Sequence, residues 1–176
     1  MPTGQRWTVF LVTLLLCVSL DQWSKVYAIQ HWKGEPAQSF LGDMFRIEYA
    51  ENDGAFLSLL ADFSSDVRFW VLVVGNSAVL LGLSIYILTT KQMEFSHFLP
   101  LTLLVAGGLG NLIDRVRFLC VIDYFNVGIG SLRTGIFNVA DMAITGGFLL
   151  LVPYIFYGEK SSTSDETGAP EAVNVA

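Results

Sequence analysis

Charge is scarce in this chain. Only 15% of its 176 residues are Asp, Glu, Lys or Arg, against 53% hydrophobic, whereas soluble domains carry about 25% charged residues. Basic charge is scarcer still, with 10 Lys and Arg against 16 Asp and Glu. No basic stripe exists to neutralise phosphates, which argues against a nucleic-acid partner. Cysteine is limited to Cys17 and Cys120, each in or beside an apolar run and without His or Cys neighbours at ligand spacing. That removes a disulfide framework and a thiolate metal site and leaves two small apolar side chains. Histidine is limited to His31 and His97. They fall on opposite sides of the topology described below, so a His-based triad lacks its base. No metal and no cofactor are expected. The run that follows Arg6 and ends in Leu-Leu-Leu-Cys has no small residues before Cys17, and its apolar pattern continues to Ile29. It is therefore not expected to be a cleaved leader.

Long apolar runs are what the chain has in quantity. Crossing a hydrocarbon core takes about 20 apolar residues in a helix, and four segments qualify: 7–29, 67–90, 95–116 and 136–157. The expected fold is an all-α integral membrane bundle of four transmembrane helices, a single domain over 1–158, with both termini on one face. Three unequal connections join the spans. Residues 30–66 form a long one in which Phe45, Ile47 and Tyr49 alternate with polar residues, as in a half-buried strand. A small β-rich extramembrane element is expected there, between helices 1 and 2. The second link is only a few residues long, and the third, 117–135, holds strand-like VIDYF followed by Gly-rich sequence. One face is thus elaborated and the other plain. Residues 159–176 are polar, small and free of aromatics, which predicts a disordered tail.

Lys and Arg near the spans favour the cytoplasmic side. Arg6, Lys91 and Lys160 lie on the plain face, whereas Lys25, Lys33, Arg46, Arg68, Arg115, Arg117 and Arg133 lie on or near the elaborated one. Taken alone, the count puts the elaborated face in the cytoplasm.

Ionisable groups within spans are costly and are functional candidates by default. Here they share a depth. Asp21 and Lys25 lie near the end of span one, Asn111, Asp114 and Arg115 near the end of span three, and Asn138 and Asp141 near the start of span four. Alternating topology puts all of them at the elaborated rim. Asp21 and Lys25 have the spacing and order of a helical ion pair, which reads as structural. Asp114 is adjacent to Arg115, so each needs another partner; a structural network suits Asp114. Arg115 suits either a clamp on a substrate carbonyl or phosphate or a snorkelling anchor. Asp123 sits in the strand-like loop and Asp141 is expected about one and a half turns inside span four, about 8 Å below the interface. Neither has a Lys or Arg assigned to it. If the two carboxylates meet, they do not both ionise easily and one keeps a proton. Such a pair activates a water while protonating a carbonyl oxygen. The competing reading is helix capping and isolated hydrogen bonds. GGLG at 107–110 is a weak phosphate-loop signal, since small residues in membrane helices more often permit close packing.

The segments DQWSK (21–25), NDGA (52–55), GGLGNLIDR (107–115), VID (121–123) and FNVAD (137–141) resemble, in order and spacing, the motif set of bacterial lipoprotein signal peptidases, the signal peptidase II family. The resemblance implies a four-helix aspartyl endopeptidase of the bacterial inner membrane. It would remove the signal peptide from diacylglyceryl-modified prolipoproteins by cutting just before the lipidated cysteine. Carried over by motif, the catalytic aspartates are Asp123 and Asp141. Asn52, Gly54, Asn111, Arg115 and Asn138 match positions around the substrate or a globomycin-type cyclic peptide inhibitor. Asp21, Lys25 and Asp114 match positions that hold the architecture. The resemblance also implies an active site on the periplasmic side and cytoplasmic termini, against the Lys and Arg count. After Asn-x-Gly-Ala the family continues Ala-Phe, where this chain has Phe56 and Leu57. Residues 52–60 suit a lid, Gly54 permitting a tight turn and Phe56, Leu57 and Leu60 offering apolar contact.

A small membrane carrier using the carboxylates as a proton relay is the alternative from another class. Carrier sites lie near the bilayer midplane, often between repeated halves; here the carboxylates gather at one rim and no repeat relates spans 1–2 to 3–4.

Overall fold

The computed structural model describes residues 3–53 and 64–157. Its longest helix, α1 (Thr3–His31), shows why the composition is so apolar. Leu11, Leu15, Leu16 and Leu20 are all at least half exposed, a pattern that fits a hydrocarbon solvent and not water. Next come strands β1 (Gln38–Phe40) and β2 (Phe45–Asn52). The second apolar segment is helical throughout but not uniform: α2 (Ser65–Phe69) passes into a π-helical stretch, Trp70–Gly75, and then into α3 (Asn76–Thr89). The helix expected over 67–90 thus runs from Ser65 to Thr89 with a π-helical stretch inside it. α4 (Phe95–Phe118) leads into β3 (Val121–Ile129), β4 (Leu132–Arg133) and α5 (Val139–Tyr157). Among the described residues three helices are long and apolar enough to cross a membrane, and Val139–Tyr154 is a shorter apolar helix.

The sheet also differs from expectation. It has four antiparallel strands in the order β1-β2-β3-β4, so the connection before α5 supplies half of it, and it is not confined to the stretch between the first two helices. The reason lies in β3. Ala50 pairs with Asp123 and Asn52 with Val121, which satisfies backbone groups that α4 cannot reach once Leu119 turns the chain with φ 61 and donates to the Arg115 carbonyl. The expected lid residues 54–60, including Gly54, and the tail 159–176 lie outside the described residues.

α4 packs against α1, α3 and α5, and its glycines set how closely. A Cβ on Gly107 would sit 2.4 Å from the Ala140 carbonyl oxygen, and one on Gly110 would sit 2.6 Å from Asp21 Oδ2. At the plain end Phe10, Ile87, Met93, Phe98 and Val105 form an apolar cluster. Arg6 is buried against it, donating to the Ile87 carbonyl and lying over the Phe98 ring.

Candidate active site

Two elements bring Asp123 and Asp141 together. Phe137 pairs with Phe125 of β3 in an antiparallel bridge, with N–H···O distances of 2.8 Å in both directions. That fixes the chain immediately before α5 beside the strand carrying Asp123. Asn138 then caps the helix: its Oδ1 accepts from the Asp141 N–H at 2.9 Å, and Asp141 Oδ2 accepts from the Asn138 N–H at 3.1 Å. This reciprocal arrangement is a capping box, and it satisfies two otherwise orphaned donors. Because the cap is at 138, α5 starts at Val139 and not at 136. Asp141 accordingly lies in the first turn of its helix, which corrects the expected depth of one and a half turns.

Asn138, with no exposed surface, also reaches the other carboxylate. Its Nδ2 donates to Asp123 Oδ1 at 2.6 Å, and Nδ2 also lies 3.1 Å from Asn111 Oδ1 and 3.3 Å from the Ile122 carbonyl. Asp123 Oδ2 accepts from Asn52 Nδ2 at 3.1 Å, and Asp141 Oδ1 accepts from Asn111 Nδ2 at 2.8 Å. One asparagine thus holds both aspartates, and two more each hold one. Asp123 is 2% exposed, while Asp141 is half-buried. Burial, and after it the Asp141 charge, push the Asp123 carboxyl up to about 7, against the opposing pull of the Asn52 and Asn138 amides. The Arg115 guanidinium lies within electrostatic reach of Asp141, Asp123 and Asp114, and its Nη1 is 3.4 Å from the Asn111 carbonyl. The sequence assigned no cation to either aspartate; the fold places Arg115 near both.

Beside the pair lies a buried ionic cluster. Lys25 Nζ is 2.9 Å from each of three acceptors, Asp21 Oδ2, Asp114 Oδ2 and Asn111 Oδ1, and Lys25, Asp21 and Asp114 are at most 2% exposed. A buried charge of this kind persists only when paired and fully hydrogen-bonded. Asp21 Oδ1 also accepts the Ala140 N–H of α5, and Asp114 Oδ2 accepts the Ile122 N–H of β3. The cluster therefore fixes the starts of the two elements that carry Asp141 and Asp123. Gln22, which the sequence reading passes over, joins it: Nε2 lies 2.9 Å from Asp114 Oδ1 and 3.2 Å from both the Gly110 carbonyl and Asp21 Oδ2. The signal was available, since an amide inside an apolar span needs partners. Gly54 is outside the described residues and cannot be placed. Among the described residues no group of three or more His, Cys, Asp and Glu side chains is arranged to hold a metal ion.

Chemically, a buried carboxyl whose affinity for its proton is raised stands beside a second, half-buried carboxyl. That combination suits water activation with concurrent protonation of a carbonyl. A family model described as Signal peptidase (SPase) II matches residues 13–157. The chain is 31% identical over 155 residues to a lipoprotein signal peptidase of Clostridioides difficile, a match covering 88% of this chain and 99% of the relative. It is 36% identical over 145 residues to one of Streptococcus pyogenes, covering 82% and 90%. A solved structure described as a bacterial membrane enzyme, determined by the in meso method at 2.3 Å resolution, superposes with a TM-score of 0.72 at 24% identity, over 93% of this chain and 95% of that one.

Proposed function

As the chain belongs to the signal peptidase II family, we propose that it is an aspartic endopeptidase of the bacterial inner membrane whose chemistry is carried by Asp123 and Asp141. Its substrates are prolipoproteins, and the bond cut is the one just before the diacylglyceryl-modified cysteine. The observation that carries this reading is the joint grip of Asn138 on both aspartates, at 2.6 Å on Asp123 and through the capping box on Asp141.

Asp141, which accepts two N–H bonds, takes a proton from a water on its open side. The resulting hydroxide attacks the scissile carbonyl carbon while Asp123 gives its proton to the carbonyl oxygen. As the tetrahedral intermediate collapses, Asp123 recovers a proton from the hydroxyl and Asp141 delivers its own to the departing cysteine amine. Arg115 supplies positive potential over the oxygen as it gains charge. Asn52 and Asn138 border the peptide, and a globomycin-type cyclic peptide occupies the same space. The site faces the periplasm with both termini cytoplasmic. Two acyl chains on the substrate require sideways access from the bilayer.

The test is cleavage of a diacylglyceryl-modified precursor peptide by the purified protein. Asp123→Asn and Asp141→Asn should each lower turnover by at least about 100-fold, the range of general acid–base contributions, with the helical circular dichroism signal unchanged. Near-wild-type turnover in either variant rejects the assignment.

A further inference from the structure

The Nζ bonds of Lys25 are to Asp21, Asp114 and Asn111, and not to Asp123 or Asp141. Yet the chemistry of its contacts constrains them. An ammonium offers three donors and no acceptor, so the atom of Asn111 that faces Nζ at 2.9 Å has to be the carbonyl oxygen. The amide is planar, which turns its NH2 toward Asp141 Oδ1 at 2.8 Å. Asn138 is locked on the same principle. Its Oδ1 faces a backbone N–H, that of Asp141, at 2.9 Å, leaving Nδ2 for Asp123 and for the Asn111 oxygen. Had Asn111 turned over, its NH2 would face both the ammonium and the Asn138 NH2, three donor groups without an acceptor among them, inside a site where Lys25 is 2% and Asn138 0% exposed.

We propose that Lys25 and Asn111 are positioning residues that set which aspartate works as the base: the Lys25 ammonium fixes the Asn111 amide so that Asp141 Oδ1 always receives an N–H. The Asn138 N–H meets Oδ2 at 3.1 Å, so both Asp141 oxygens are acceptors, and a proton placed on Asp141 displaces one of these bonds. Asp123 also accepts two N–H bonds, from Asn138 and Asn52, so the asymmetry comes from burial: Asp123 is 2% exposed and Asp141 only half-buried, and the Asn111 N–H keeps Asp141 the better seat for the charge while the shared proton stays on Asp123. Among the described residues, the charged groups in electrostatic reach of Asp141 are Arg115 on α4 and Asp123 on β3; Lys25 on α1, with Asp21 and Asp114, acts one amide further away. Asn111 is on this account not a substrate contact, in contrast to the role implied by resemblance. The proposal rests on the Asp123–Asp141 assignment above.

The decisive variant is Asn111→Asp, nearly isosteric, which keeps an acceptor for Lys25 but offers no N–H to Asp141. With the diacylglyceryl precursor peptide, kcat should fall at least about tenfold and KM should stay within about twofold. The acidic limb of the kcat/KM profile should move up by about one pH unit, the size expected for losing one hydrogen bond to a charged group. Lys25→Arg preserves a donor-only cation and should keep the wild-type limb; Lys25→Gln, able to accept as well as donate, should shift it as Asn111→Asp does. If Asn111→Asp raises KM with kcat and the pH limb unchanged, Asn111 is a substrate contact and the proposal is wrong. Where Asn111→Asp lacks the wild-type melting transition, the Lys25→Arg and Lys25→Gln pair decides: equal pH limbs overturn the proposal. Retained turnover in Asp123→Asn or Asp141→Asn marks instead the failure of the underlying assignment.

Discussion

Asn138 makes four kinds of contact at once: it caps α5, holds Asp141, holds Asp123 and touches Asn111. No hydroxyl or aliphatic residue replaces it, because the position needs an acceptor for the Asp141 N–H and donors for the Asp123 carboxylate. The state of Asp123 gives a pH prediction with a definite sign. Its carboxyl is pushed up to about 7 from an ordinary value of 3.8, first by burial and then by the Asp141 charge. With Asp123 as the acid, as proposed above, kcat/KM should decline as pH rises above about 7. Stability follows the same group. The contribution of the protonated carboxyl is fully present below 3.8 and is lost as pH rises through about 7. The detergent melting temperature of Asp123→Asn, which has no such proton to lose, should fall less than that of the wild type between about pH 5 and about pH 8. Parallel melting curves for the two proteins across that window would contradict the shift.

At the scale of elements, the spacing of α4 and α5 is set by backbone contact at Gly107, where an added Cβ would meet the Ala140 carbonyl at 2.4 Å and Ile144 Cγ1 at 2.7 Å. Backbone cannot step aside as a flexible side chain can. Gly107→Ala should cost about 1–3 kcal/mol, typical of overpacking, and lower turnover, because Ala140 immediately precedes Asp141. Gly82→Ala on α3, with nothing within 4 Å of the new methyl, is the control and should leave melting unchanged or raise it by the helix propensity of Ala, up to about 1 kcal/mol. Equal melting temperatures for the two variants would refute the packing argument. These elements also show where sequence reasoning reached its limit. The apolar runs of α1 and α4 were legible because lipid exposure demands about 20 apolar residues in a row. The start of α5 was not, because Ile136, Phe137 and Asn138 are as apolar or as amide-bearing as helix residues; only the bridge to Phe125 and the cap show that they lie outside it. The π-helical stretch left no mark in Trp70–Gly75, a run that is apolar up to its final glycine. Strand character in VIDYF was legible, but its partner was not, since Asp123 and Ala50 meet only through a register with a shift between Ile47 and Ala50. At the site the sequence gathered the polar groups at one rim, and it could not show that Lys25 binds Asp21, Asp114 and Asn111 together.

For the whole molecule the open issue is orientation, where the Lys and Arg count opposes the proposed periplasmic site. Several of the counted cations have duties in the fold. Lys25 is buried in the ionic cluster, Lys33 pairs with Glu51 at 2.6 Å, and Arg46 and Arg133 both bind Asp43. Their position is dictated by the sheet and the bundle as much as by membrane insertion. In a chain with Cys17 and Cys120 replaced by Ser, an impermeant thiol reagent applied to intact cells should label Ser39→Cys and spare Gln92→Cys, both exposed positions at opposite ends of the bundle. Labelling at 92 alone would invert the topology. The ionic cluster has a further consequence, for biogenesis. Asp21 waits for the Ala140 N–H and Asn111 for Asp141 and Asn138, groups that the ribosome makes about 120 residues after Asp21. An unfinished chain ending before α5 contains only one of the two aspartates, and its buried polar groups lack their last hydrogen-bond partners. On the dyad assignment such a chain is hydrolytically inert, so the protease becomes competent only when its final helix docks and is harmless to neighbouring chains in the translocon until then.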